Sequence, residues 1–233
     1  MHRSLSALLA LALAASTAQS QVLFSDNFNS ENGGNGALNY NSFANWTVNG
    51  QVDLVRSGDF GITCAGGSGS CVDLDGTSGP GTITLTNAIA VTAGQRYRFT
   101  FDVSGSQRAA AADPFQTALR FGASTSLTDV VGTGLLSFVA APGPVGPSLN
   151  FIFIPAPIPG TTGWSTASLE FTVATNNNLR VDFSTSSADN VGPLIDNVSI
   201  ARVNVVPEPS TYALLATGLA GVLVAARRRR DAR

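Results

Sequence analysis

Few side chains in this 233-residue sequence are equipped for chemistry: one histidine (His2), two cysteines (Cys64 and Cys71) and 15 carboxylates. A Ser–His–Asp triad, a Cys–His pair or an imidazole-ligated zinc each needs a histidine held in a folded body. His2 sits instead in an N-terminal stretch with the features of a removable export segment. Two carboxylates could still share acid–base work, but no spacing pairs any two of them. Glutamate occurs only at Glu31, Glu170 and Glu208. The residues therefore predict no catalytic site and no enzyme. Cys64 and Cys71 enclose Ala-Gly-Gly-Ser-Gly-Ser. Outside the cytoplasm such a pair most simply closes a flexible loop with a disulfide, because a metal site would need further Cys or His ligands that the sequence lacks.

Binding chemistry has more candidates. Trp46, Trp164 and Tyr40 could stack on sugar faces beside amides and carboxylates that bind hydroxyls; the competing reading is ordinary core packing, where buried aromatics dominate. Asp73-x-Asp75-Gly76 has the spacing of half a calcium loop, against the simpler reading of a strand end and a turn. Asp196 falls in register with Leu194, Val198 and Ile200, the apolar set of its strand. A carboxylate there is costly unless hydrogen bonds, an arginine or a cation satisfy it.

These residues must be positioned by strands. Tyr97, Phe99, Phe101 and Val103 alternate with Arg96, Arg98, Thr100 and Asp102, as in a half-buried strand. Leu169, Phe171 and Val173, then Leu179, Val181 and Phe183, then Ile83 and Leu85 repeat the pattern. Turn residues such as Asp75-Gly76, Ala93-Gly94 and Asn176-Asn177-Asn178 separate the runs. No amphipathic helix is predicted over 21–206. The Gly- and Pro-rich stretch 122–163 reads as a loop-heavy insertion around a strand at 150–154. The expected fold is all-β, one β-sandwich or jelly roll over residues 21–205.

Both ends carry targeting features. Residues 1–20 have a basic start, an apolar run and small residues at the cleavage positions, and read as a signal peptide. At the other end, Pro207, Glu208 and Pro209 bar a helix from running through this stretch. The uncharged residues 211–226 then predict a transmembrane helix near the lower length limit. Arg227, Arg228, Arg229 and Arg230 place its C-terminus in the cytoplasm. Between the ends, seven arginines face 13 carboxylates and no lysine, a formal −6. Such an acidic body argues against nucleic acid as a partner.

The order Pro-Glu-Pro, apolar helix, arginine cluster over 206–233 resembles the PEP-CTERM sorting signal of exported bacterial proteins. That resemblance implies recognition of Pro207, Glu208 and Pro209 by exosortase, a membrane cysteine protease. The chain would be held at the inner membrane and then moved to the cell surface or matrix with extracellular polysaccharide. The motif order Leu23-Phe24-Ser25-Asp26-Asn27-Phe28, Asn45-Trp46-Thr47, Cys71-Val72-Asp73-Leu74-Asp75-Gly76 and Ile195-Asp196-Asn197-Val198 resembles the choice-of-anchor C type of domain. That is a galactose-binding-like jelly roll related to carbohydrate-binding modules. It implies a structural calcium shared by Asp196 with Asp26 or Glu31, against a plain hydrogen-bond network. The function expected is a non-enzymatic surface or matrix protein; the alternatives are a lectin-like module, calcium-dependent or not, and, third, a polysaccharide-acting enzyme.

Overall fold

A computed structural model describes residues 20–77, 79–108, 111–122, 127–133, 149–153, 156–187, 189–203 and 209–231. The period-two runs fold as strands because each can bury one face and keep its backbone paired. In chain order they are β1 (Gln21–Asp26), β2 (Trp46–Gly50), β3 (Asp53–Arg56), β4 (Ser70–Asp73), β5 (Asp75–Gly76), β6 (Gly79–Leu85), β7 (Ile89–Val91) and β8 (Arg96–Ser104). There follow β9 (Ala112–Asp113), β10 (Gln116–Phe121), β11 (Leu127–Thr133), β12 (Leu149–Phe153), β13 (Ile158–Pro159), β14 (Ser165–Val173), β15 (Asn177–Ser184) and β16 (Leu194–Val203).

One sheet runs β11-β14-β8-β16-β4-β3 with β1 also on β16; the second runs β12-β10-β15-β6-β2 with β5 on β6 and β7 on β15. β9 and β13 pair separately. The inner faces meet in one core, where aromatic side chains of the alternating runs, among them Tyr97, Phe99, Phe101, Phe171 and Phe183, pack with aliphatic ones. Phe183 of β15 lies 6.0 Å from Phe99 and 5.0 Å from Phe101 of β8, ring centre to ring centre across the two sheets. The protein is therefore a β-sandwich, as its alternation predicts. Between residues 21 and 203, the helical pieces among the described residues are three short 3-10 turns.

Two features depart from the periodicity. The stretch 122–163 contributes β11, which pairs with β14, as well as the expected strand now seen as β12. β11 was not legible because its ladder is interrupted between Thr128 and Val131, with Asp129 at φ 53°. In β16, Asp196 faces Asp102 of β8 while Ser199 faces Thr100, so β16 carries one extra residue. Asn197 takes up that β-bulge at φ 48°. The bulge reverses the alternation. Ile195, Val198 and Ile200 point into the core, whereas Leu194 joins a second cluster with Val55, Ile62, Cys64 and Cys71 on the outer face. Asp196 follows Leu194, so the expectation that it shares a face with Val198 and Ile200 is corrected.

Ser20–Val203 forms one compact unit. The described part of the other unit is helix α1 (Pro209–Asp231). Proline suits the first turn of a helix, where its missing N–H is not needed. α1 contains the expected segment 211–226 and continues through the arginines. Among the described residues, however, no helix is long and apolar enough to cross a membrane. The uncharged run extends only about 24 Å at 1.5 Å per residue, against a hydrocarbon core of about 30 Å. The expected signal peptide, residues 1–20, falls outside the described residues except for Ser20, and so do Pro207 and Glu208.

Candidate functional site

Where β1 lies against β16, with Ser25 facing Ser199 and Asp26 facing Val198, the surface opens into a groove of about 440 Å³. Ser25, Asp26, Asn27, Asn45, Asn197 and Ser199 line it. Asp26 organises one wall. Its Oδ1 accepts the Phe28 N–H at 2.9 Å, closing an Asx turn at the end of β1. Its Oδ2 accepts Asn45 Nδ2 at 3.0 Å and the Trp46 indole N–H at 2.9 Å. The bulge in β16 builds the opposite wall by turning Asn197 outward, where its Nδ2 donates to Asp102 Oδ2 at 2.8 Å. Thr166 Oγ1 donates to the other oxygen of Asp102 at 2.5 Å.

Asp196 sits beside this groove but beneath cover. It is 3% exposed. Its Oδ1 accepts the Asn197 N–H at 2.7 Å and its Oδ2 accepts the Ala65 N–H at 3.2 Å. Ala65 belongs to the loop that the Cys64–Cys71 disulfide closes. Burial pushes the Asp196 carboxyl up to about 7; the two N–H donors pull it down, while the nearby Asp102 and Asp26 charges raise it further. Glu31 points elsewhere, with both oxygens on the Ala44 N–H at 3.0 and 3.2 Å. The structure thus brings Asp26 and Asp196 to one neighbourhood and directs Glu31 away. Among the described residues, no group of three or more His, Cys, Asp or Glu side chains could hold a metal ion. The acids predicted to share calcium are engaged by N–H donors.

None of the predicted stacking rings lines the groove. Trp46 is 2% exposed and packs against Phe24, Phe28 and Phe183. Its role as a sugar platform is corrected, because neither ring face is open and the indole N–H serves Asp26. Tyr40 is half-buried, edge-on to Phe43, with its hydroxyl donating to the Ser42 carbonyl at 3.1 Å. Trp164 is half-buried against the disulfide cluster, and its indole N–H donates to the Thr63 carbonyl at 2.7 Å. Each ring has a packing role with its polar atom satisfied.

In the sequence Asn45 and Asn197 stand out only as members of the Asn45-Trp46-Thr47 and Ile195-Asp196-Asn197-Val198 motifs, and Asp102 only as a polar position of its strand; none is legible there as a groove residue. The one available signal is the adjacent polar pair Asp196-Asn197, which breaks the period-two alternation of its strand. Asp73, the first acid of the half calcium loop, ends β4 and accepts Arg108 Nη2 at 2.8 Å with the N–H groups of Asp75 and Gly192 at 3.0 Å each. Burial pushes it to about 7 even so. The groove's chemistry is that of amides, hydroxyls and one hydrogen-bonded carboxylate, a set that matches vicinal hydroxyl groups.

Comparison with known proteins adds the following. The PEP-CTERM protein-sorting motif matches residues 205–230, so the chain carries that motif. A family described as protein of unknown function (DUF642) matches residues 17–130, a little under half of the chain. No curated protein matches. Among solved structures, the chain is similar to the CBM22-1–GH10 modules of Clostridium thermocellum endo-1,4-beta-D-xylanase 10B complexed with xylohexaose. Identity is 13% and TM-score 0.45, over 82% of this chain and 30% of that one. It is also similar to the CBM22-1 xylan-binding domain of Paenibacillus barcinonensis Xyn10C, at 10% identity and TM-score 0.43, over 82% and 100%. A third is the K1 cleaved adhesin domain of Lys-gingipain from Porphyromonas gingivalis W83, at 17% and 0.40, over 78% and 98%. At these identities and scores, nothing about a ligand follows for this chain.

Proposed function

We propose that this is an exported, non-enzymatic surface or matrix protein whose tail is read by an exosortase-type membrane protease and whose β-sandwich is the delivered body. The observation that carries the reading is the PEP-CTERM protein-sorting motif over residues 205–230. In this reading a signal peptide over residues 1–20 starts export. The apolar part of α1 then holds the chain at the inner membrane with the arginine cluster on the cytoplasmic side. Cleavage near Pro207, Glu208 and Pro209 frees the sandwich to associate with exopolysaccharide. Intact-mass measurement of the exported protein, in cells with and without the protease, is the test. The expected form begins at residue 19 or 21 and lacks α1 only where the protease is active. An intact C-terminus in protease-proficient cells would sink the reading.

The groove supports a second reading, a carbohydrate-binding module that takes sugar hydroxyls on Asn45, Asn197 and the serines. Its aromatic-free, polar lining suits hydrogen bonding to a polyol edge more than stacking on a ring face. Glycan-array binding should fall at least tenfold in Asn45→Ala and Asn197→Ala. Absence of binding to any glycan removes this reading and leaves the first intact.

A further inference from the structure

Asp75 of β5 and Asp113 of β9 are 0% and 3% exposed. Asp75 Oδ2 accepts the N–H groups of Asp189 and Asn190, each at 3.0 Å, while its Oδ1 is buried without a hydrogen-bond partner. Asp113 Oδ1 accepts the Ser187 hydroxyl at 2.9 Å, and its Oδ2 is likewise buried and unpartnered. The same hydroxyl lies 3.1 Å from Asp189 Oδ1. Ser187 is also a hydrogen-bonding neighbour of Asp75, and a serine hydroxyl has one proton, so it cannot satisfy all three acids. Asp75, Asp113 and Asp189 act on one another as like charges, and burial raises the first two above the usual carboxylate range. Arg108, the cation of this neighbourhood, is committed to Asp73 Oδ2 at 2.8 Å and the Asn190 carbonyl at 2.9 Å. Two orphaned carboxylate oxygens therefore belong to an acidic cluster that, among the described residues, has no cation left to compensate it.

The geometry points to a divalent-cation site of the calcium class, with Asp75 Oδ1 and Asp113 Oδ2 as its carboxylate ligands. Calcium takes six to eight oxygens in flexible geometry and accepts hydroxyls, carbonyls and water beside carboxylates. Two carboxylates are enough to start such a shell, so the site differs from a cage of three acidic side chains. It also differs in place from Asp26, Glu31 and Asp196, whose oxygens already accept N–H groups. A cation here would tie β5, β9 and the segment that carries Asp189 and Asn190 together at one point, and it is independent of how the tail is processed.

The test uses the full-length protein, stripped with EDTA and titrated with calcium chloride by calorimetry. One ion should bind with Kd of about 10⁻⁴ to 10⁻³ M, the range of extracellular modules, and raise Tm. Asp113→Asn should weaken binding at least tenfold, whereas Asp26→Asn should leave it unchanged. Should Asp113→Asn fail to fold, the wild-type protein still decides: calcium should shift the backbone amide resonances of Asp189 and Asn190, which donate to Asp75. No saturable binding and no amide shift at 10 mM calcium (about tenfold above the weakest expected Kd) would overturn the site, leaving a proton to fill the role. Binding that survives Asp113→Asn but is lost in Asp26→Asn would overturn it equally.

Discussion

Replacing both Cys64 and Cys71 with alanine tests what holds the outer-face cluster. The two cysteines are seven positions apart, and closing a loop of that length removes about 2.4 kcal/mol of unfolded-state entropy in the chain-entropy model. Both sulfurs are also buried with Val55, Ile62 and Leu194, so the total loss should be about 2–4 kcal/mol. At 2–4 °C per kcal/mol for a body this size, Tm should fall by about 5–15 °C. A second effect follows because the loop covers Asp196. The folded state keeps the Asp196 proton up to about pH 7, whereas the unfolded chain releases it near 3.8. Stability therefore falls as pH rises between those values and is level above them, by at most about 4 kcal/mol from this group. Opening the loop should wet Asp196 and flatten that slope. Urea unfolding of wild type and the double variant at pH 5 and pH 8, with EDTA present, reads both effects. A double variant within 0.5 kcal/mol of wild type (about the scatter of a surface substitution), or one with an unchanged pH slope, would refute the reasoning.

Trp46→Phe keeps an aromatic ring but removes the donor to Asp26, and should cost about 1–2 kcal/mol by chemical denaturation without changing glycan-array binding. Arg120→Ala removes the ion-pair partner of Asp182, whose Oδ1 is already buried without a partner. Since Arg120 itself is half exposed, the expected loss is about 1–2 kcal/mol, read as a lower urea midpoint. Gly105→Ala would drive a Cβ into the Pro159 carbonyl and within 2.8 Å of Gly160 Cα; backbone must move, so Tm should drop with a loss of about 1–3 kcal/mol.

The sequence by itself determined the sandwich and the tail. Tyr97, Phe99, Phe101 and Val103 can bury one face only as a strand, and that constraint is local. The same holds for the disulfide, since seven positions of Gly- and Ser-rich chain bring Cys64 to Cys71 with little help from the rest of the fold, and for the Pro-Glu-Pro punctuation before an apolar run. What the tertiary structure decided is which polar groups meet. Asp196 was assigned to the wrong face because one extra residue at Asn197 reverses the alternation, and a bulge is set by pairing with β8 rather than by β16's own pattern. Trp46 became a core residue because Phe183, 137 positions away, packs on it. Asp75, Asp113 and Asp189 come together only after β5, β9 and the segment that carries Asp189 have been placed. Periodicity fixes the direction of a side chain along its own strand; which charges become neighbours is decided by how segments distant in sequence are placed against one another, and one strand's own pattern does not show that.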